Sequence, residues 1–233
     1  MEIKERIQQI VNLSKIPMKT ESEMKMVEII VLKFKDPEVE IECAKNIIEN
    51  TEWPFKLVFY DNRKNTANTS RIWNKLIDDS TCDYVMLIDS DAFVPKLEPC
   101  WLTRMMESFE KHPDADVVIP VANNVGGAHQ KVVGAEKYPS EEINTGIWSG
   151  FCWLIKKTTM DKADWFDQQF YFYGQDSEWA HRIHKKGLKT YMRKDVFLNH
   201  HSGYSGKKAD KEGTFDREAD KMLARTLFIK KTQ

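Results

Sequence analysis

The stretch YVMLIDSD, residues 84–91, joins an apolar run to two carboxylates that are separated by one serine. A short and nearly continuous apolar run is typical of a β-strand that is covered on both faces, as in a parallel sheet. The change to polar residues predicts that the strand stops at Asp89 and that Asp91 lies on a tight turn after it. Two carboxylates on one turn can hold a hard cation beside the oxygens of a diphosphate.

Further strands and helices alternate along the chain. Short runs rich in apolar and β-branched residues predict strands at residues 27–32, 57–60, 117–120, 146–155 and 196–198. Helical spacing of apolar residues predicts helices at residues 36–50, 72–77, 98–112 and from 176 to 187. This alternation predicts an α/β fold with a mainly parallel central sheet flanked by helices, whose ligands bind beyond the carboxyl ends of the strands.

The composition restricts the class of protein. The 233 residues are enough for one sizeable core, and 35 basic against 36 acidic residues provide no overall field that would attract nucleic acid or acidic lipid. The four cysteines form no CxxC pair, which argues against a zinc knuckle or a dense disulfide scaffold. The chain starts without a signal peptide and has no apolar stretch of about 18 residues, so we expect a cytoplasmic protein without a transmembrane segment.

Two later motifs carry further candidate residues. In the aromatic-rich segment 165–179, Asp176 stands at the start of a predicted helix, where it can act as a general base or merely cap the helix. Aromatic faces such as those of this segment pack well on sugar rings. In the segment NHHSG, residues 199–203, two imidazoles follow an apolar strand, and imidazole is a competent ligand for manganese-like ions.

The order of these motifs is similar to that of the family-2-type GT-A glycosyltransferases. That family has a DxD turn, a later Tyr-Gly-Glu-Asp stretch and a terminal His-His-Gly-like segment, and the resemblance extends from about Val27 to Ser205. It implies a single GT-A domain of the Rossmann-like nucleotide-diphospho-sugar transferase type. It also implies an inverting glycosyltransferase that uses Mn²⁺ or Mg²⁺ and a nucleotide-sugar donor, most commonly a UDP-sugar.

The resemblance implies a role for each matching position. Asp91 would be the direct metal ligand, Asp89 would contact the metal or the donor nucleoside, and His200 would complete the metal site, with His201 as the alternative. Asp176 would be the catalytic base. The residues that the resemblance places near the donor are Lys33, Phe34, Asp61, Arg71, Asn74, Ser90, Trp148, Gly150 and Gln175, with Asp61 reading the edge of the base.

The sequence departs from the family pattern at Gln175, where the family has glutamate. Gln175 cannot ionise but can still bond a sugar hydroxyl, so the role of base depends on Asp176 alone. This departure leaves open a non-catalytic sugar- or partner-binding module on the same fold. A nucleotidyltransferase is disfavoured because no glycine follows the first strand, and a haloacid-dehalogenase-type phosphatase because Phe93 stands where that motif has Thr or Val.

The resemblance also divides the chain and leaves the acceptor open. We expect an N-terminal helical arm at residues 1–25, a GT-A catalytic domain at residues 26–206 and a charged C-terminal helix at residues 207–233, which is docked or faces a partner. The acceptor can be a glycan, a protein side chain, a lipid-linked sugar or a modified nucleic-acid base, although the missing membrane anchor gives no support to the lipid.

Overall fold

The computed structural model describes residues 25–33, 36–62, 68–126, 129–134, 141–144, 146–201, 211 and 216–232. The predicted N-terminal arm, up to residue 24, lies outside these ranges, and so does Phe34. Within them, no helix is both long enough and apolar enough to cross a membrane.

Strands and helices alternate as the sequence predicts. The described strands are β1 (Val27–Lys33), β2 (Phe55–Asp61), β3 (Tyr84–Asp89), β4 (Ala92–Phe93), β5 (Ala115–Ala122), β6 (Glu141–Asn144), β7 (Cys152–Lys156) and β8 (Lys189–His200). The described helices are α1 (Pro37–Asn50), α2 (Thr69–Asp79), α3 (Trp101–Lys111), α4 (Thr159–Ala163), α5 (Gln175–Lys185) and α6 (Arg217–Thr232).

The eight strands form one mixed sheet in the order β2-β1-β3-β7-β5-β8-β4, with β6 paired to β8. β1 runs parallel to β2 and β3, and β5 runs parallel to β8. β7 lies antiparallel between β3 and β5, because it starts with Cys152 beside Ile88 at the carboxyl end of β3 and returns along that strand. The α/β fold is therefore confirmed, with an antiparallel strand in its centre.

Helices cover both faces of the sheet, which explains the buried apolar strands. One face packs against α1 and α3 through residues such as Ile47 and Trp101. The other packs against α2, α4 and α5 in an aromatic cluster that includes Trp73, Trp153 and Trp179. The start of α1 agrees with its sequence signals, since Pro37 is its first residue and Asp36 accepts a 3.3 Å bond from the Val39 amide.

The predicted strand at residues 146–155 is wrong in its first half. Regular strand pairing begins only at Cys152, and the preceding residues form turns at the carboxyl edge of the sheet. Their amides bond to side chains instead of to a neighbouring strand: Ser149 N–H donates to Gln130 and Gly150 N–H donates to Asp176. This segment, residues 146–151, is called the site turn below.

The charged C-terminal helix docks on the domain. The amide of Tyr173, in the loop before α5, donates a 2.9 Å hydrogen bond to Oδ2 of Asp220. Ala224 is buried, and Lys231 forms an ion pair with Asp167. Of the two placements predicted for this helix, the described residues show the docked one.

Candidate functional site

A cavity of about 370 Å³ lies at the carboxyl ends of β1 and β3. Its volume is in the range of small-molecule binding sites. Besides Tyr173, the ionisable side chains that line it are Asp89, Asp91, Asp176, His200 and Arg217. Aromatic lining comes from Trp73, Phe151, Phe172 and Tyr173. The cavity therefore combines opposite charges with flat apolar surfaces.

Asp89, Asp91 and His200 lie together at one side of this cavity. Their ligand atoms are all within 4.8 Å of one another. Nε2 of His200 is 3.5 Å from Oδ2 of Asp89 and 3.4 Å from Oδ1 of Asp91. The pairing of β4 with β8 sets Ala92 opposite His200, and this register brings the end of β8 to the acidic turn.

The imidazole of His200 is fixed from several directions. Its Nδ1 lies 2.8 Å from the carbonyl oxygen of Asn124, so the neutral ring donates its Nδ1 proton there and presents Nε2 to the carboxylates. Its backbone amide donates to Oδ1 of Asn123 at 2.8 Å. The Phe151 ring is stacked on it with centroids 5.1 Å apart. A ring held in this way has its second nitrogen ready for a cation.

The electrostatics of the three groups favour a positive charge between them. Burial alone would lower the pKa of His200, but hydrogen bonds and charges from Asp89 and Asp91 raise that pKa to about 10. Burial raises the pKa of Asp89, the hydrogen bond to His200 lowers it, and the charges of Asp91 and Asp176 raise it further. Without a metal ion, a proton on His200 offsets part of the negative charge of the two carboxylates. The donor set and its orientation fit a divalent cation, which would take the place of that proton.

His201 occupies a different environment from His200. Its side chain is exposed, and its ring lies 5.1 Å from the Phe93 ring. Its backbone amide donates a 3.0 Å bond to the carbonyl oxygen of Asp91. The structure thus brings the His200 imidazole to the carboxylates and leaves that of His201 outside the cluster.

Asp176 is half-buried in the first turn of α5 and is held by backbone amides. Oδ2 accepts from the Gly150 amide at 2.9 Å, and Oδ1 accepts from the Ser177 amide at 2.7 Å. Burial raises the pKa of the Asp176 carboxyl, although these amide bonds oppose the rise. The residue that precedes the helix is Gly174, at φ +83°, and it makes no side-chain cap. Asp176 therefore satisfies one amide of its helix and also faces the cavity.

Gly150 allows the site turn to approach α5 closely. A Cβ at this position would lie 2.6 Å from Cζ2 of Trp153 and 2.7 Å from Cβ of Asp176. Both contacts are too short, so an added Cβ would force the surrounding atoms to shift. The glycine thus explains how the Gly150 amide reaches the Asp176 carboxylate.

Three buried polar atoms line the cavity without a hydrogen-bond partner in the described part of the chain. They are Oδ1 of Asn62, which follows β2, Oγ1 of Thr69 at the start of α2, and Oε1 of Gln175. Buried polar atoms are nearly always paired in proteins, so each of these calls for a partner from a ligand or from water. An unpaired carbonyl oxygen specifically accepts an N–H or hydroxyl group.

Several residues implied by the resemblance lie elsewhere. Asp61 and Arg71 are exposed and do not line the cavity, and Nζ of Lys33 lies 5.5 Å from the centroid of the Phe59 ring. Both amide atoms of Asn74 bond to the backbone of Phe166, at 2.8 and 3.0 Å. Trp148 belongs to the site turn and is buried, with its ring edge-on to that of Trp153, and it does not line the cavity.

Ser90, Gly150 and Gln175, by contrast, line the cavity together with the acidic residues. Asn62, Thr69 and Arg217 are not among the candidate residues predicted from the sequence. Asn62 could have been found from its position after a predicted strand, next to Asp61. Arg217 could not, because it lies in a charged helix far along the chain from every motif.

Comparison with known proteins agrees with this geometry. The family model described as Glycosyl transferase family 2 matches residues 24–207. Among solved structures, the chain is similar to the crystal structure of GalNAc-T7 with UDP, GalNAc and Mn²⁺, with a TM-score of 0.59 and 9% sequence identity. The similarity covers 77% of this chain and 44% of that chain, so this chain spans less than half of its length. No curated protein matches the sequence.

Proposed function

Because the chain belongs to glycosyl transferase family 2, and is thus a glycosyltransferase, we propose that it is a metal-dependent inverting enzyme that moves a sugar from a nucleotide-diphosphate sugar to an acceptor hydroxyl. The observation that carries the proposal is the meeting of Asp89, Asp91, His200 and Asp176 in one cavity. These residues come from the ends of β3 and β8 and from the start of α5, so the fold itself assembles them.

Asp89, Asp91 and His200 would hold the cation. When bound, a divalent ion neutralises the negative charge that develops on the departing nucleoside diphosphate. The mixture of carboxylate oxygens and one imidazole nitrogen favours Mn²⁺ over Mg²⁺, which prefers oxygen ligands and bound water. The Asn124 carbonyl keeps the imidazole in the orientation that this role requires.

The donor nucleoside would lie at the carboxyl ends of β1 and β2. Leu32, Asn62 and Thr69 line this part of the cavity, and the two polar residues carry the unpaired acceptors described above. Ligands of open α/β sheets bind at this edge. A UDP-sugar is the donor we propose, and the presence of UDP in the similar GalNAc-T7 structure supports this choice.

Asp176 would be the base that accepts the proton of the acceptor hydroxyl. As this proton leaves, the acceptor oxygen bonds to the anomeric carbon from the side opposite the breaking bond to the phosphate oxygen, so the configuration inverts. The raised pKa makes the ionised Asp176 a stronger base than an exposed aspartate. The amides of Gly150 and Ser177 hold the carboxylate in place during this step.

The acceptor classes that suit this chemistry are a glycan, a protein side chain and a modified nucleic-acid base, since each can offer a hydroxyl. Gln175 would bond a sugar hydroxyl through its unpaired oxygen. The same residue favours the second candidate, a sugar-binding module, because the family glutamate is missing there.

Donor hydrolysis tests the proposal and separates the two candidates. The protein is incubated with UDP-sugars and with GDP-sugars in the presence of Mn²⁺, and released nucleoside diphosphate is measured. We expect slow release from the wild-type protein, loss of release with EDTA or in Asp91→Asn, and normal release in the exposed control Asp78→Asn. With an acceptor found by screening, Asp176→Asn should bind the donor but transfer about 100- to 10,000-fold more slowly. Donor binding without any release would favour the binding module.

A further inference from the structure

Helix α6 lies outside the segment that the family model matches, yet it contributes to the cavity. The matched segment ends at residue 207, and α6 spans Arg217–Thr232. The side chain of Arg217 is 23% exposed and lines the same cavity as Asp89, Asp91 and His200. A part of the chain beyond the family pattern thus lines the cavity that contains the candidate metal site.

The first half of α6 is attached to the loop that leads to Asp176. Nε of Arg217 donates a 3.1 Å hydrogen bond to the Tyr173 hydroxyl, and the Tyr173 amide donates to Asp220 at 2.9 Å. A Cβ on Gly174 would lie 3.0 Å from Cβ of Ala224, so the glycine lets the helix approach the backbone of the loop. These contacts connect the position of Arg217 to the position of the proposed base.

The second half of α6 is attached to the domain as well. Lys231 pairs with Asp167, and the Phe228 ring lies 5.9 Å from the ring of His181 on α5. The helix is therefore held at both ends, and the location of Arg217 follows from this packing.

The charges in the cavity require a second cation when a nucleoside diphosphate binds. The nucleoside diphosphate that leaves carries more negative charge than one divalent ion neutralises, because its terminal phosphate gains a charge when the bond to the sugar breaks, and Asp89, Asp91 and Asp176 add carboxylates nearby. Of the cavity-lining residues in the described ranges, Arg217 alone carries a permanent positive charge. A guanidinium can present two parallel N–H groups to phosphate oxygens, which makes arginine well suited to this ligand.

We propose that Arg217 binds the diphosphate of the donor, and hence the leaving group of the reaction, so that α6 is an integral part of the active site. This inference rests on the proposed function, because it takes a nucleoside diphosphate as the ligand. Arg217 stabilises the charge that grows on the phosphate oxygens as the bond to the sugar breaks. The contribution of Arg217 to binding comes from its contact with the phosphates, so it does not depend on the nucleoside of the donor.

The test compares ligands with and without the diphosphate. Binding of UDP in the presence of Mn²⁺ is measured by calorimetry, and binding of uridine by NMR chemical-shift changes, for the wild type and for Arg217→Ala, Arg217→Gln and Arg217→Lys. We expect Arg217→Ala and Arg217→Gln to weaken UDP binding at least about tenfold and to leave uridine binding unchanged. Arg217→Lys should lie between these variants and the wild type, because it keeps the charge and loses the paired donors. Arg225→Ala, on an exposed position of the same helix, is the matched control and should behave as the wild type.

The outcomes that overturn the inference are distinct. Equal weakening of UDP and uridine binding would mean that Arg217 only supports the loop through Tyr173, and unchanged UDP binding would mean that it does not contact the phosphates. Arg217→Gln keeps the stem and an N–H group for the Tyr173 hydroxyl, so it serves if the alanine variant fails to fold. If the wild type binds neither UDP nor GDP with Mn²⁺, the proposed function falls together with this inference. If the wild type binds UDP with Mn²⁺ and the Arg217 variants bind it equally well, this inference is wrong and the proposed function is unaffected.

Discussion

The amide of Gly150 donates a 2.9 Å hydrogen bond to Oδ2 of Asp176, which joins the site turn to the first turn of α5. The next residue, Phe151, accepts a 2.8 Å bond from the Asp89 amide and stacks its ring on His200. One short turn thus contacts the proposed base and two residues of the proposed metal site, Asp89 and His200. Changes in this turn should affect the metal site and the base together.

Gly150→Ala should disable the enzyme. The new Cβ would meet Trp153 and Asp176 at 2.6 and 2.7 Å, and we expect a loss of about 2 kcal/mol in the free energy of unfolding together with loss of donor hydrolysis. Urea denaturation and the hydrolysis assay measure the two effects. Gly146→Ala is the control, since its closest new contact is the edge of His129 at 3.2 Å, and a side chain there can move. Equal effects of both substitutions would contradict the importance of this close approach.

Asn123→Ala should weaken metal binding. The substitution removes the acceptor of the His200 backbone amide, and loss of such supporting bonds typically costs about 10- to 100-fold in metal affinity. A titration with Mn²⁺, followed by calorimetry or electron paramagnetic resonance, gives the affinity. Asn124→Ala keeps the backbone carbonyl that accepts from Nδ1 and should bind Mn²⁺ almost as the wild type does. A normal affinity in Asn123→Ala would show that the imidazole is held well enough by its other contacts.

Metal binding should release a proton and become tighter as the pH rises. The pKa of His200 is raised to about 10 without a cation, so at neutral pH an incoming ion must displace the imidazole proton. The apparent Mn²⁺ affinity should therefore increase about tenfold per pH unit from pH 6 upward, and the gain should end near the pKa of His200. Calorimetry in buffers with different ionisation enthalpies counts the protons released. An affinity independent of pH would contradict His200 as a ligand.

As the pH is lowered, the rate of transfer should fall at a pH above the usual pKa of an aspartate. Burial raises the pKa of Asp176 above 3.8, and only the ionised form can accept the acceptor proton. The rate is therefore full at high pH and is lost as the pH drops through this raised value. Initial rates are measured at saturating Mn²⁺, to separate this effect from the titration of His200, with circular dichroism to confirm folding. A rate that falls only at or below pH 3.8 would argue against Asp176 as the base.

Asn62→Ala should weaken the donor complex. If its unpaired Oδ1 accepts a hydrogen bond from the nucleoside, the substitution should raise the Kd for UDP about fivefold. Asp61→Ala is the informative comparison, because the family resemblance assigns base recognition to Asp61 while the structure leaves it exposed and outside the cavity lining. A larger effect of Asp61→Ala would favour the resemblance over the cavity geometry.

The features that the sequence predicted well depend on local patterns. The apolar run before Asp89 determines both the strand and the position of the acidic turn, and the cap at Asp36 determines where α1 begins. The position of two histidines after an apolar strand reduced the choice of imidazole ligand to His200 or His201. The choice between His200 and His201 required the register of β8 against β4, which no local pattern contains.

The features that were missed depend on contacts between distant segments. The site turn is irregular because the side chains of Gln130 and Asp176 bond to its backbone amides. The antiparallel direction of β7 follows from its start beside Ile88, at the carboxyl end of β3. Asn74 has the residue type of a donor contact, but its amide is used by the backbone of Phe166. Arg217 lines the cavity because helix α6, far along the chain, packs against Gly174. No sequence pattern near the motifs indicates this packing.

The docking of α6 determines how far the protein can be shortened. A version that stopped at residue 207, the end of the matched segment, would keep the sheet and the acidic turn. It would lack the Asp220 carboxylate for the Tyr173 amide and would uncover the backbone at Gly174. Because this loop leads directly into Asp176, a chain trimmed to the family boundary should keep the residues of the proposed metal site but lose both Arg217 and the support of the proposed base.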